Sequence, residues 1–492
     1  MNDTNSPRLI SMKINRIMNW PPLSWVCKVD SDSASITAWC GSFVEQTDTS
    51  IFEAVWEGSV SQMDLDQSSL VCGTGFVIRD KKITFVTSSN TVDRIWLIKG
   101  EFGGWVSNSL PALLAISGAQ LKDDYLSYDK DLYTVIRGID QYVHQIPLNE
   151  GVAEVVYFQN LVYDFESWQR VDKKDSSPPF ISFGAYYNYL LDSTSLLASN
   201  AASMQRAHTV EMLTTISTGY DSPVAAIMAR HAGCKKALTL TRARSIFFRK
   251  DSGANIAARL NLECEEYESP KSISSDEEPY FWAVLGEPAD ANFSVFNFPE
   301  VPSMLFTGFN GDIVWDTHVH MPNKLMRRKD LTGLGLCEYR LKKAFFHCPV
   351  PFWGITRAKE LQLLSMSQEL KPWSIGGNYD RPICRRIVEE AGVPREWFGV
   401  KKKATTFSPV AVRRPINKLS LQRFERYVKK RDVHLVPHWL LRSSDILDEE
   451  LIGRLSEVIN AKLPRLRINS KAEAMTFQWA VSEIVAVYNN SV

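Results

Sequence analysis

Ile216-Ser217-Thr218-Gly219-Tyr220-Asp221-Ser222 is the stretch on which the reading of this chain turns. The apolar run Val210 to Ile216 leads into it and has the make-up of a buried strand. Pro223 to His231 continues from it as a helix, with proline suited to a first helical turn. A strand that ends in hydroxyl and glycine residues and then opens a helix collects an anion, because backbone N–H groups and the helix dipole point at it. Ser217 and Ser222 can donate hydroxyls to phosphate oxygens. Gly219 is expected to permit a turn that a side chain would block. Asp221 is a poor phosphate ligand, and its natural task is to hold a Mg²⁺ that bridges phosphates. No G-K-[ST] follows a glycine run, so this is not a Walker loop.

Outward from the loop, helical patterns alternate with short apolar strands. Ala237–Thr241 reads as a second strand, Ala254–Leu260 as a second helix, and Leu305-Phe306 as a third, short strand. This alternation predicts an α/β sheet with parallel strands. Residues from about 320 to 492 read as mostly helical. Toward the N-terminus the texture is strand-rich from about 36 to 160. Gly75–Ile78 and Ile83–Thr87 flank the turn Arg79-Asp80-Lys81-Lys82, Leu110–Ile116 is a short helix, and Val152–Phe158 is a strand. Residues 1 to about 30 read as an irregular lead-in broken at Pro21-Pro22. Asp175-Ser176-Ser177-Pro178-Pro179 is a turn-rich break, with a domain boundary expected between it and about 200.

A chain of 492 residues implies two or three domains. Lys+Arg and Asp+Glu both number 56, so no polyanionic partner such as nucleic acid is expected. The eight cysteines are scattered with no C-x-x-C pair, which argues for reduced thiols in a cytoplasm. Met1 to Arg16 carries no apolar core of a secretory signal. No stretch approaches the roughly 18 apolar residues of a membrane span, so no membrane association is expected. His318 and His320 alternate near Asp316, but without a third ligand nearby they read as surface residues rather than a metal site. Trp20, Trp25, Trp39 and Trp56 read as packing residues.

The loop resembles S-G-G-x-D-S, the pyrophosphate loop of the N-type ATP pyrophosphatases (PP-loop proteins), with Thr218 in place of the first glycine. Its surroundings are similar to those in the asparagine-synthetase family. Ala237-Leu238-Thr239-Leu240-Thr241 looks like the family's second strand, whose backbone reads adenine, which assigns Leu240 to ATP. Asp251 begins a segment similar to the family's next helix. Thr307-Gly308-Phe309-Asn310-Gly311-Asp312 resembles the family's S-G-x-G-x-D. That places Thr307 and Gly308 beside pyrophosphate with Ile216 to Ser222, and makes Asp312 the second acid for Mg²⁺. Glu338-Tyr339-Arg340 and Phe345 to Phe352 loosely resemble E-x-R-x-P-F. Tyr379 to Ile383, leading through Lys401-Lys402-Lys403 to Phe407 and Pro409, resembles the family's basic R-x-K turn. Its lysine steadies charge during adenylation, and Lys402 or Lys403 stands at that position.

The resemblance is clearest over about 210 to 410 and implies two domains. Residues 196–492 would form an adenine nucleotide alpha hydrolase-like domain on a parallel sheet, with a helical C-terminal part. Residues 1–195 would form a degenerate glutaminase-type (Ntn-like) antiparallel β-sandwich, because Val106 to Leu114 resembles the S-E-x-x-A-L-L helix start and Ala153 to Phe158 a following strand. Working glutaminases of this type use a cysteine at position 2. This chain has Asn2, and Cys27 is its first thiol, so cysteine attack in the family manner is not expected. Phe309 stands where asparagine-forming members carry Glu, and Ile313 replaces an acid. Aspartate is therefore doubtful as the substrate. The implied activity is adenylation of a small carboxylic acid by ATP with Mg²⁺, followed by attack of an amine or of ammonia from a separate source; a homodimer fits the resemblance. The alternatives are another PP-loop chemistry and a non-catalytic or regulatory nucleotide-binding homologue.

Overall fold

The computed structural model describes residues 10–241, 251–284, 288–317, 328, 330–377, 379–399, 414–433, 435 and 471–491. The N-terminal part is built from two sheets. One has seven strands in the order β1-β3-β2-β9-β8-β11-β10: β1 Ser11–Arg16, β2 Trp25–Asp30, β3 Ser35–Cys40, β8 Ile95–Gly100, β9 Gly103–Ser107, β10 Gln145–Pro147 and β11 Val152–Val156. The other has six, in the order β13-β12-β7-β6-β5-β4: β4 Glu45–Thr47, β5 Ser50–Trp56, β6 Val71–Arg79, β7 Lys82–Val86, β12 Asn160–Tyr163 and β13 Trp168–Val171. Trp25, Cys27, Val29, Ile95 and Leu97 of the first sheet bury against Phe76, Ile83, Phe85 and Leu161 of the second. Alternating apolar residues facing each other across two sheets make a sandwich core.

The hairpin β6–β7 follows from its turn. Asp80 and Lys81 both have positive φ, 48° and 63°, which a two-residue turn needs to match the twist of its strands. The short helix expected at 110 spans Leu110–Ser117, and the Ser109 hydroxyl accepts from the N–H of Ala112 at its first turn.

A five-stranded, all-parallel sheet follows: β14 Glu211–Thr215, β15 Lys236–Leu240, β16 Glu263–Tyr267, β17 Ser303–Thr307 and β18 Phe345–Pro349, ordered β16-β15-β14-β17-β18. Helix Asp221–His231 packs on β14 and β17. Strands β17 and β18 are buried along their whole length, as parallel strands covered on both faces must be.

Two expectations need correction. The lead-in is not irregular, since β1 and most of β2 lie inside it. β1 is a half-exposed edge strand, and its short alternation of Ile10, Met12 and Ile14 with polar residues was passed over. The seven-stranded sheet is not purely antiparallel, because β1 pairs parallel with β3. The described residues after 320 are mostly helical, as expected, and include the five-residue strand β18. The interval around 175–200 holds the 19-residue helix Phe183–Ala201, which packs on helix Asp221–His231 and on β5. All eight cysteines are free. Among the described residues no helix is long and apolar enough to cross a membrane.

Candidate functional site

From β14 the chain moves outward through β15 to β16, then returns to lay β17 on the other side of β14. At such a reversal the loops leave neighbouring strands in opposite directions and open a crevice at the carboxyl ends, where ligands bind in doubly wound sheets. Thr214 is in register with Phe306, so Ile216–Ser222 and Thr307–Asp312 leave the sheet side by side. The two loops touch. A Cβ on Gly308 would lie 2.5 Å from the backbone carbon of Asp221, and one on Gly311 would lie 2.5 Å from Asp221 Cγ. Glycine at both positions is therefore a condition of this approach. Asn310 takes the left-handed conformation between them, φ 72°, a role asparagine tolerates. Asp312 follows directly in the first turn of Gly311–Val314.

The loop is internally tied. The Ser217 and Ser222 hydroxyls are 2.8 Å apart, and the N–H of Gly219 donates to Ser217 Oγ at 3.2 Å. Thr218 donates its hydroxyl to Asp251 Oδ1 at 2.5 Å, and its carbonyl accepts from the N–H of Gly399 at 2.9 Å. Gly219 does not have the role expected of it. A Cβ there would meet only Ser217 Oγ at 3.4 Å and the Tyr379 hydroxyl at 3.6 Å, which is ordinary contact. Its missing side chain leaves the backbone approachable and does not relieve a turn.

Sequence reading gave no role to Arg381, which the fold brings to the loop. It sits at the start of helix Pro382–Glu390 and donates from Nη1 to both carboxylate oxygens of Asp221. Its side chain is 2% exposed against 22% for Asp221. The guanidinium lies over the Tyr379 and Tyr220 rings, 5.1 and 6.0 Å from their centroids. Burial works against its charge, and the Asp221 carboxylate more than offsets it, so its pKa is held above the ordinary arginine value. One turn on, Arg385 donates to the buried Tyr220 hydroxyl. Nothing local in the sequence marks Arg381, since the pairing spans 160 residues.

On the far side of the crevice, fully buried His347 of β18 lies 2.7 Å from Thr307 Oγ1 through Nε2, with its ring against Phe309. Its Nδ1 has no hydrogen-bond partner. Burial pulls its pKa down to about 4, so the imidazole is neutral near pH 7. It too escaped notice, because Phe345 to Phe352 was read only for a loose resemblance and His347 was given no role.

The structure thus sets the Ile216–Ser222 loop against Gly308 and Gly311, which Thr307 and Asp312 adjoin in the chain. Leu240 stands at the carboxyl end of β15, the neighbouring strand. Lys402, Lys403, His318, His320 and Asn2 lie outside the described residues. Among the described residues no three His, Cys, Asp or Glu side chains gather as a metal-ligand set.

No protein-family model matches this chain, and no curated protein does. The architecture is a mixed, mostly antiparallel β-domain followed by a parallel α/β domain, an arrangement consistent with a two-domain nucleotide-binding enzyme.

Proposed function

We propose that the chain is an ATP-dependent carbon–nitrogen ligase resembling asparagine synthetase, working without glutaminase activity of its own. The observation that supports this most is the meeting of the Ser217–Ser222 loop and the Thr307–Asp312 turn at the switch point of the parallel sheet. In this reading Ser217, Gly219 and Ser222 receive the β- and γ-phosphates, and the carboxyl end of β15 at Leu240 receives adenine. Asp221 and Asp312 would hold Mg²⁺, which neutralises phosphate charge when bound. A substrate carboxylate oxygen attacks the α-phosphorus, the bond to the β-phosphate breaks, and pyrophosphate leaves. An amine nitrogen then attacks the acyl carbon, losing a proton as AMP departs. Lys402 or Lys403 is the cation assigned to the adenylation step.

One observation favours a second reading, a nucleotide-binding protein without turnover. Thr218 is tied to Asp251 and Asp221 to Arg381, so the loop is braced by its own side chains. ATP–pyrophosphate exchange decides between them. With Mg²⁺ and a panel of small carboxylic acids, at least one acid should support exchange that Asp221→Ala abolishes. ATP binding with no exchange for any acid would establish the second reading.

A further inference from the structure

We propose that Arg381 keeps the divalent-cation seat at Asp221 closed until a polyphosphate arrives, so that metal alone binds poorly. This rests on Asp221 being the metal-side residue of the proposed ligase site.

A guanidinium at the start of a helix faces the positive end of the helix dipole, an unfavourable place for a lone cation. Here it is also nearly buried. Asp221 supplies the opposing charge, and both its oxygens accept from Arg381. The Tyr220 and Tyr379 rings hold the guanidinium on this carboxylate. A divalent cation that binds Asp221 by itself must push this guanidinium aside. Arg381 would then be a buried charge without a counter-ion, the costly half of a broken ion pair. A polyphosphate changes the balance, because its oxygens give Arg381 a new acceptor as the metal takes Asp221. A guanidinium carries five N–H donors, and the contact with Asp221 uses Nη1 alone. Metal and polyphosphate then bind with positive coupling, and neither is held tightly alone.

Mn²⁺ binding to the full chain without ATP, read by electron paramagnetic resonance of the free ion, tests this. Wild type should bind Mn²⁺ weakly and gain affinity when pyrophosphate is added. Arg381→Gln should bind Mn²⁺ alone at least ~10-fold more tightly and lose most of the pyrophosphate effect. Adding Asp221→Asn to that variant should remove the gain. Arg381→Lys keeps the charge but lacks the planar guanidinium that lies over the Tyr220 and Tyr379 rings, and should give a smaller rise in the same direction; it serves if the glutamine variant does not fold. No rise in any folded Arg381 variant overturns the proposal. The readout involves no turnover. A wild type without exchange activity but with the Mn²⁺ response would therefore sink the ligase reading and spare the closed seat, and the reverse result would do the opposite.

Discussion

Arg340 and Glu53 lie 287 residues apart in the chain and form a two-point ion pair with no exposed surface. Arg340 Nη1 donates to Glu53 Oε2 at 2.6 Å and Nη2 to Oε1 at 2.9 Å, while Nε donates to Asp93 Oδ1 at 2.5 Å. Asn108 and Thr74 donate to Glu53 as well, so the carboxylate is satisfied on all sides. This pair fastens strand β5 of the sandwich to helix Leu336–Lys343, which leads into β18 beside the candidate site.

Breaking the pair from one side should therefore cost more than removing it. Arg340→Met leaves two carboxylates buried beside an apolar side chain, a loss of about 3–5 kcal/mol. The triple variant Glu53→Gln, Asp93→Asn, Arg340→Met should recover part of that loss. Urea unfolding of the three proteins measures both. A single variant within about 1 kcal/mol of wild type would mean that the network contributes little.

The two glycine-bearing loops should respond oppositely to alanine. Gly308→Ala drives a Cβ into the Asp221 backbone and should destabilise by about 1–3 kcal/mol. Gly219→Ala has room, and its stability should stay within about 0.5 kcal/mol of wild type. Any loss of ATP binding in Gly219→Ala, followed by calorimetric titration, then reports closure of the approach to the backbone and not misfolding.

Buried Glu338 makes stability depend on pH. It accepts from the Ser109 hydroxyl and from the N–H of Leu110, yet burial outweighs both and raises its pKa to about 7. The folded state therefore holds this proton more tightly than the unfolded chain does. Its contribution is fully present below about pH 4.5 and is lost as pH rises to about 7, a change of up to roughly 3 kcal/mol. Glu338→Gln cannot ionise and should remove this slope, so its stability relative to wild type should rise between pH 5 and pH 8. Urea midpoints at both values check it, and parallel curves would refute it. His347 works in the opposite direction: its lowered pKa adds stability above about pH 6.5 that is lost toward pH 4.

Much of the parallel sheet could be read from local pattern. Short apolar runs at Val210–Ile216, Ala237–Thr241 and Leu305-Phe306 became β14, β15 and β17, each within a few residues of its expected ends. Glycine, hydroxyl and acidic residues after two of those strands were enough to mark Ile216–Ser222 and Thr307–Asp312 for attention. The edge strand β1 carried a short alternation, Ile10, Met12 and Ile14, that was passed over, whereas β18 is a mostly apolar run whose period cannot separate strand from helix.

Residue type and spacing along the chain determined which segments become strands and helices, since hydrophobic periodicity and turn chemistry act over a few residues. They also determined that position 221 carries an acid and positions 308 and 311 do not carry a side chain. Only the tertiary structure decided that β14 and β17 are neighbours, that Asp221 rests on Gly311, and that Arg381 closes on its carboxylate. Those relationships depend on the order in which strands add to a sheet and on charges meeting across more than a hundred residues. Strand order is set by how whole helices and strands cover one another's apolar faces, and no local window of sequence contains that information.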